Sequence, residues 1–260
     1  MTRYILDIVD MQHDFMIPGA ALPVADADKI IAPTNRFFKS IKPGTFDAAL
    51  VKYDTHFPGE YKLSPESQAF PDIHCAYGTK GWDQVVDLKL LARRMPVRHM
   101  LKNVFDMWGT NPTGVKDVKF ASKAERNAYN GLFTIKRNPH DSKAGTPRDE
   151  WMTRNGVEKD GATVVICGVA SDFCVMDAMK GYLERGVNVI VLTDLTRGIG
   201  ADPARSATGE ISDVCARNFA SYEKSGQLRQ MTSDAFIKMA QPSGPNADAA
   251  DKPDLTGAKP

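Results

Sequence analysis

Residues 162–179 read ATVVICGVASDFCVMDAM. The first half is an unbroken run of β-branched and apolar residues, which suits a strand buried on both faces. From Asp172 the pattern turns helical and continues to Gly186, a residue able to close the helix in a left-handed C-cap. A strand that passes through a short turn into a helix is one unit of a parallel sheet. The same unit recurs along the chain. Further apolar runs of strand length stand at 4–9 (YILDIV), 47–54 (DAALVKYD), 132–137 (LFTIKR) and 188–194 (NVIVLTD). A last short strand is expected within 227–234, and helical patterns at 26–42 and 202–221 fall between the runs. The alternation predicts an α/β fold with a parallel sheet covered by helices on both faces.

The organisation reads as one domain over residues 1–240. Residues 83–130 are less regular and are expected to form a partly helical insertion, a lid or an oligomer contact. Residues 241–260 are rich in Pro, Ala and Asp, and are expected to be a flexible tail. Of the 260 residues, 42% are hydrophobic, enough to build a core without disulfides. A formal net charge of +1 offers no electrostatic footprint for nucleic acid or an anionic membrane. Cys75, Cys167, Cys174 and Cys215 form no CxxC pair, which argues against a zinc knuckle or a thioredoxin motif. The first residues lack the pattern of a signal peptide and no run approaches a membrane span, so a cytoplasmic, reducing location is expected.

In open α/β sheets, functional groups collect at the carboxyl ends of the strands. Asp10 follows the first predicted strand, Asp54 and His56 the second, Lys136 ends the third and Cys174 lies just beyond the fourth. Packing does not require that constellation. A thiol in the first turn of a helix faces unpaired N–H groups, which lower its pKa and can also hold an oxyanion. Cys174 therefore reads as a nucleophile, against the plainer reading of a small buried hydrophobe. Cys167, inside a strand, takes the plainer reading. Asp194 reads as structural and Cys215 receives no role. Asp54, His56 and His74 together suit a borderline divalent ion, zinc foremost, with iron or manganese as alternatives.

Four segments resemble the isochorismatase-like cysteine hydrolases, and among them the nicotinamidases and pyrazinamidases. IVDMQHDFMIPGAALPV (8–24) is similar to the family opening D-x-Q-x-D-F, and YDTHFPGE (53–60) to its D-x-H-P metal segment. FPDIHCAYGTKG (70–81) resembles W-P-x-H-C-x-x-G-T-x-G, and GVASDFCV (168–175) resembles the nucleophile turn G-V-A-x-D-x-C-V. The resemblance implies a three-layer α/β/α sandwich with a six-stranded, mainly parallel sheet. It implies a catalytic triad of Asp10, Lys136 and Cys174, with an oxyanion hole at the Ala170 and Cys174 amides behind a cis Val169–Ala170 bond. It implies metal ligation by Asp54, His56 and His74, with Glu60 (directly or through water) or Ser64 as a further ligand. Phe15 and Phe70 match positions whose rings sandwich a pyridine. The family lysine usually precedes glycine, with Y-S-x-F later, whereas this chain reads IKRNPHDSKAG (135–145).

The implied activity is hydrolysis of nicotinamide, or an analogue such as pyrazinamide, to the acid and ammonia through a cysteine thioester. The implied cofactor is one divalent ion orienting the ring. A small-molecule amide substrate and a homo-oligomer are expected, with no nucleic-acid or membrane partner. The rival readings are a metal-free amidase of the same superfamily, a binding protein with an inactive site, and a nucleotide-binding protein. The last lacks both GxGxxG and a P-loop.

Overall fold

The computed structural model describes residues 2–113, 118–143 and 145–240. Eight strands form one sheet: β1 (Tyr4–Val9), β2 (Ala48–Asp54), β3 (Val97–Lys102), β4 (Thr134–Lys136), β5 (Thr146–Pro147), β6 (Thr163–Gly168), β7 (Val189–Thr196) and β8 (Leu228–Met231). Their order is β5-β4-β3-β2-β1-β6-β7-β8. The six strands from β3 to β8 across the middle are parallel, and β4 and β5 add an antiparallel edge. The α/β/α class stands as read, with two short strands beyond the six expected.

One strand was misplaced by the sequence reading. The parallel neighbour of β2 is β3, which lies inside the segment 83–130 expected as an insertion. Residues 132–137, expected as the third parallel strand, shrink to the short antiparallel β4. The reason is compositional. VRHMLK carries Arg98, His99 and Lys102, so its strand character is diluted, while LFTIKR shows a cleaner apolar run. The tail at 241–260 lies outside the described residues.

Alternation along the strands divides the core into two layers. Leu6, Ile8, Ala49 and Val51 face a layer that includes Phe37 and Phe38 of the helix Ile31–Ser40 and Phe236 of the helix Ser233–Ala240. Ile5, Val9, Ala48 and Leu50 face the other layer, with Tyr182 and Leu183 of the helix Cys174–Glu184 and Val214 of the helix Ile211–Asn218. Gly168 closes β6 at φ +121°, and a Cβ there would lie 2.0 Å from the Val9 carbonyl oxygen. Only glycine lets β6 press against β1 at this point, where the chain leaves the sheet for the nucleophile turn.

A charged pair is buried in the second layer. Lys52 Nζ lies 2.8 Å from Asp7 Oδ2, both side chains are fully enclosed, and Met107 Sδ sits 3.0 Å from the same nitrogen. Burial pushes the Asp7 carboxyl up and the Lys52 charge opposes that rise. Removing one partner strands the other in a dry core. Lys52→Ala is expected to lower unfolding stability by about 3–5 kcal/mol in denaturant titrations, and Asp7→Leu/Lys52→Met to recover most of that loss.

Candidate active site

Four neighbouring strands, β3-β2-β1-β6, each deliver one reactive side chain to the same edge. Lys102 is the last residue of β3 and Asp54 the last of β2, and the two are register partners. Asp10 follows β1 in a left-handed conformation, φ +49°, which Asp tolerates better than most residues. Its amide donates to the Lys52 carbonyl at 3.3 Å. Cys174 is the first residue of the helix after β6.

Lys102 Nζ lies 2.8 Å from Asp10 Oδ2, 3.3 Å from Cys174 Sγ and 3.4 Å from Asp54 Oδ1. The Asp10 carboxyl and the Cys174 thiol are near enough for each to influence the other's charge. Lys102, not Lys136, therefore stands beside the cysteine. Lys136 pairs in register with His99 on the antiparallel edge, and its Nζ donates to the Asp141 carbonyl at 3.2 Å. It borders a separate surface cleft with Arg137, Asp141 and Lys143. Lys102 is not legible in the sequence because the strand it ends lies within the segment 83–130 expected as an insertion. The available signal was a lysine closing the short run HMLK.

Electrostatics also correct the expectation of a lowered thiol pKa. Burial pushes the Cys174 thiol well up; Lys102 opposes this, and Asp10, Asp54 and Glu66 add to it. Burial is the largest influence on Asp10 too and raises it despite Lys102. Lys102 loses solvation on burial, yet Asp10, Asp54 and Cys174 hold it firmly protonated. The resting arrangement is thus a protonated thiol beside a carboxyl and a cation. The helix terminus does not by itself produce a thiolate.

The Val169–Ala170 bond is cis, as the resemblance implied. The Ala170 carbonyl accepts from the Phe173 and Val175 amides at 3.1 Å each. Among the described residues, the Ala170 and Cys174 amides donate to no protein acceptor. Asp172 fastens this turn to its neighbour by accepting the Ile199 and Gly200 amides at 3.0 and 2.7 Å.

Next to the cysteine, Asp54, His56, Glu66 and His74 bring ligand-type atoms within 4.8 Å of one another, all buried. His56 Nε2 is 2.9 Å from Asp54 Oδ2, and His74 Nε2 is 3.2 Å from both Asp54 Oδ2 and Glu66 Oε1. Against the effect of burial, Asp54 and Glu66 push the His56 pKa up to about 10. Two carboxylates and two imidazoles with both Nε2 atoms turned inward fit a tetrahedral divalent ion. The outward Nδ1 of His74 has the Tyr61 hydroxyl and the Asp72 carbonyl at 3.3 Å, the kind of support that orients a ligating imidazole. Gln12 supports the same site. Its Oε1 accepts the Asp54 amide at 2.8 Å, and its Nε2 donates to the Asp54 carbonyl at 2.8 Å and the Trp82 carbonyl at 3.0 Å.

Glu66, and not Glu60 or Ser64, is the fourth residue that the structure brings together with Asp54, His56 and His74. Glu60 instead accepts from Asn103 and Thr113, and Ser64 Oγ accepts the Glu66 amide at 3.2 Å. Nothing local in the text marks Glu66; the short helix Glu66–Ala69 turns it inward. Metal analysis of dialysed protein is expected to show Glu66→Ala depleted by more than about 100-fold in affinity, beyond the loss usual for a merely supporting residue.

Phe15, Phe70, Phe105, Phe173 and Ile199 line a small apolar cavity that reaches Ala170, Cys174 and Glu66. Phe15 and Phe70 thus both border the site, with ring centroids 5.3 and 6.2 Å from that of His74. Among the described residues, no helix is long and apolar enough to cross a membrane.

Comparisons with known proteins show what the chain is similar to. The isochorismatase domain family matches residues 110–219, a span that includes the nucleophile turn. The nicotinamidase/pyrazinamidase of Mycobacterium tuberculosis is 25% identical over 208 residues, covering 79% of this chain and 92% of its own length. PnC1 from L. infantum, solved in complex with nicotinate, superposes with a TM-score of 0.55 at 22% identity, covering 90% of this chain and 94% of that one. The pyrazinamidase of Pyrococcus horikoshii, solved in complex with zinc, gives 0.53 at 24% identity over 88% and 99%. With one mainly parallel sheet, a cysteine opening the helix after its strand and these likenesses together, the chain is similar to the isochorismatase family and is an amide hydrolase.

Proposed function

We propose that the protein is a nicotinamidase, hydrolysing nicotinamide and close analogues such as pyrazinamide to the acid and ammonia. The observation that carries this reading is the contact of two groups beside one aromatic cavity. Lys102 Nζ joins them, reaching Cys174 and Asp10 on one hand and Asp54 of the Asp54–His56–Glu66–His74 cluster on the other, and both Cys174 and Glu66 border the cavity. A thiol and a ligand cluster beside aromatic rings suit a flat ring carrying a carboxamide. The M. tuberculosis relative is named for both amides, and the L. infantum structure holds nicotinate.

Asp10 takes the thiol proton as Cys174 Sγ attacks the carboxamide carbon. The oxyanion that forms is received by the Ala170 and Cys174 amides. Asp10 returns the proton to the departing ammonia, leaving a thioester on Cys174. It then deprotonates the water that hydrolyses the thioester, releasing the acid and restoring the thiol. Lys102 holds Asp10 ionised when the proton has left and steadies the charge that builds on sulfur. Phe15 and Phe70 pack against the ring and exclude water. A divalent ion held by Asp54, His56, Glu66 and His74, zinc by the chemistry of its donors, would supply an attachment point for the ring nitrogen.

Incubating the metal-loaded protein with nicotinamide is expected to release ammonia and nicotinate in equal amounts, with about one metal per chain. A folded, metal-loaded protein that releases neither would exclude this substrate. Turnover that persists after complete chelation would remove the ion from the reaction.

A further inference from the structure

Glu60 is a fully buried acid beside the metal cluster, yet it lies outside that cluster. Its Oε1 accepts from Asn103 Nδ2 at 2.8 Å and from Thr113 Oγ1 at 2.6 Å. Asn103 is the residue immediately after Lys102. Its amide also donates to Asn111 Oδ1 at 2.9 Å, and the Thr113 hydroxyl lies 3.0 Å from the Tyr129 hydroxyl. The Asn103 carbonyl faces Ser64 Oγ at 3.5 Å, and that hydroxyl accepts the amide of Glu66. The peptide before Glu60 is held as well. A Cβ on Gly59 would lie 2.3 Å from the Lys119 carbonyl oxygen, so the backbone there is pressed against that of Lys119.

These contacts join the loop that carries the metal ligands to the end of β3. We propose that Glu60 is a positioning residue: by gripping Asn103 and Thr113 it fixes where β3 ends, and so holds Lys102 against Cys174. A buried carboxylate suits the task, because charge-assisted bonds are stronger than neutral ones and strengthen further where water is excluded. Removing it takes away the acceptor that ties the metal-ligand loop to Asn103 and Thr113, which are left with Asn111 Oδ1, and frees the chain next to the lysine. A lysine displaced by about 1 Å no longer meets both the thiol and Asp10. The inference rests on reading Lys102 as the cation of the reaction.

The test uses the metal-loaded, full-length enzyme with nicotinamide. Glu60→Ala and Asn103→Ala are expected to lower kcat about 10- to 100-fold and to change KM less than about threefold. Glu60→Gln, which keeps an acceptor in place, returns kcat to within about threefold of wild type. Bound metal stays at the wild-type level in all three. Wild-type kcat in Glu60→Ala, metal loss in that variant, or a Gln variant as impaired as the Ala variant would each overturn the proposal. If Glu60→Ala does not fold, Asn103→Ala and Thr113→Val probe the same contacts from the other side. A wild-type enzyme inactive on nicotinamide defeats the substrate reading only. The positioning is then read from alkylation of Cys174 by iodoacetamide, expected to slow about tenfold in Glu60→Ala as it does in Lys102→Ala. An unchanged alkylation rate overturns it.

Discussion

Cys174→Ala is expected to reduce ammonia release by about 10⁵-fold or more while leaving the protein folded and metal-loaded. The size follows from the role. Without sulfur no thioester can form, and the aromatic cavity, the oxyanion donors and the metal cluster retain only their binding contribution. Retained folding follows from the surroundings. Cys174 opens a helix whose buried face is carried by Val175, Ala178, Met179 and Tyr182, so a loss of one sulfur is tolerated. Steady-state kinetics with mass spectrometry check both parts. The wild type treated with substrate and quenched in acid should carry an acyl adduct on Cys174, and the alanine protein none. An adduct on Cys75, Cys167 or Cys215 would overturn the assignment. Those three thiols are buried, and burial holds each of them up.

Lys102→Ala should cost about 10³-fold in kcat, whereas Lys136→Ala should change kcat less than about threefold. Lys102 faces Asp10, Asp54 and the sulfur within 3.4 Å, so its removal leaves buried negative charge uncompensated where more must develop. Lys102→Met tests charge against bulk, and it should be as inactive as the alanine variant. Lys136 contacts the Asp141 carbonyl and packs against the β4–β5 edge, so its loss should appear in stability and not in turnover. The reverse pattern would return the lysine to the position first expected from sequence.

The different fates of the site residues trace to how far each was determined by its neighbours in the chain. Asp10, Asp54, His56, His74, Phe15, Phe70, Ala170 and Cys174 all sit within continuous motifs whose spacing is visible in the text. Each motif is a strand end with the turn after it, so local patterning places it on the carboxyl edge of a parallel sheet. The structure brings Phe15, Phe70, Ala170 and Cys174 to one cavity, Asp54, His56 and His74 to the adjoining cluster, and Asp10 to Lys102 beside them.

Lys102, Glu66 and the role of Glu60 were not legible in that way. Lys102 belongs to a polar strand recognisable only by its partner, because β3 is set by its register against β2 and covered by β4. Glu66 and Glu60 are two acids in one loop with nothing in their spacing to separate them. Tertiary contacts turn the first toward His74 and the second toward Asn103. The thiol pKa belongs with these. A helix terminus is written in the sequence, but desolvation depends on everything packed around the sulfur, and in this fold desolvation is the larger effect. The sequence alone therefore determined the class of the sheet, the cysteine turn after β6 and three of the four residues of the Asp–His–Glu–His cluster, all products of short-range periodicity and motif. Which lysine stands beside the cysteine, which acid completes the cluster and how burial acts on the thiol were decided only by the fold, because each depends on atoms that are distant in the chain and adjacent in space.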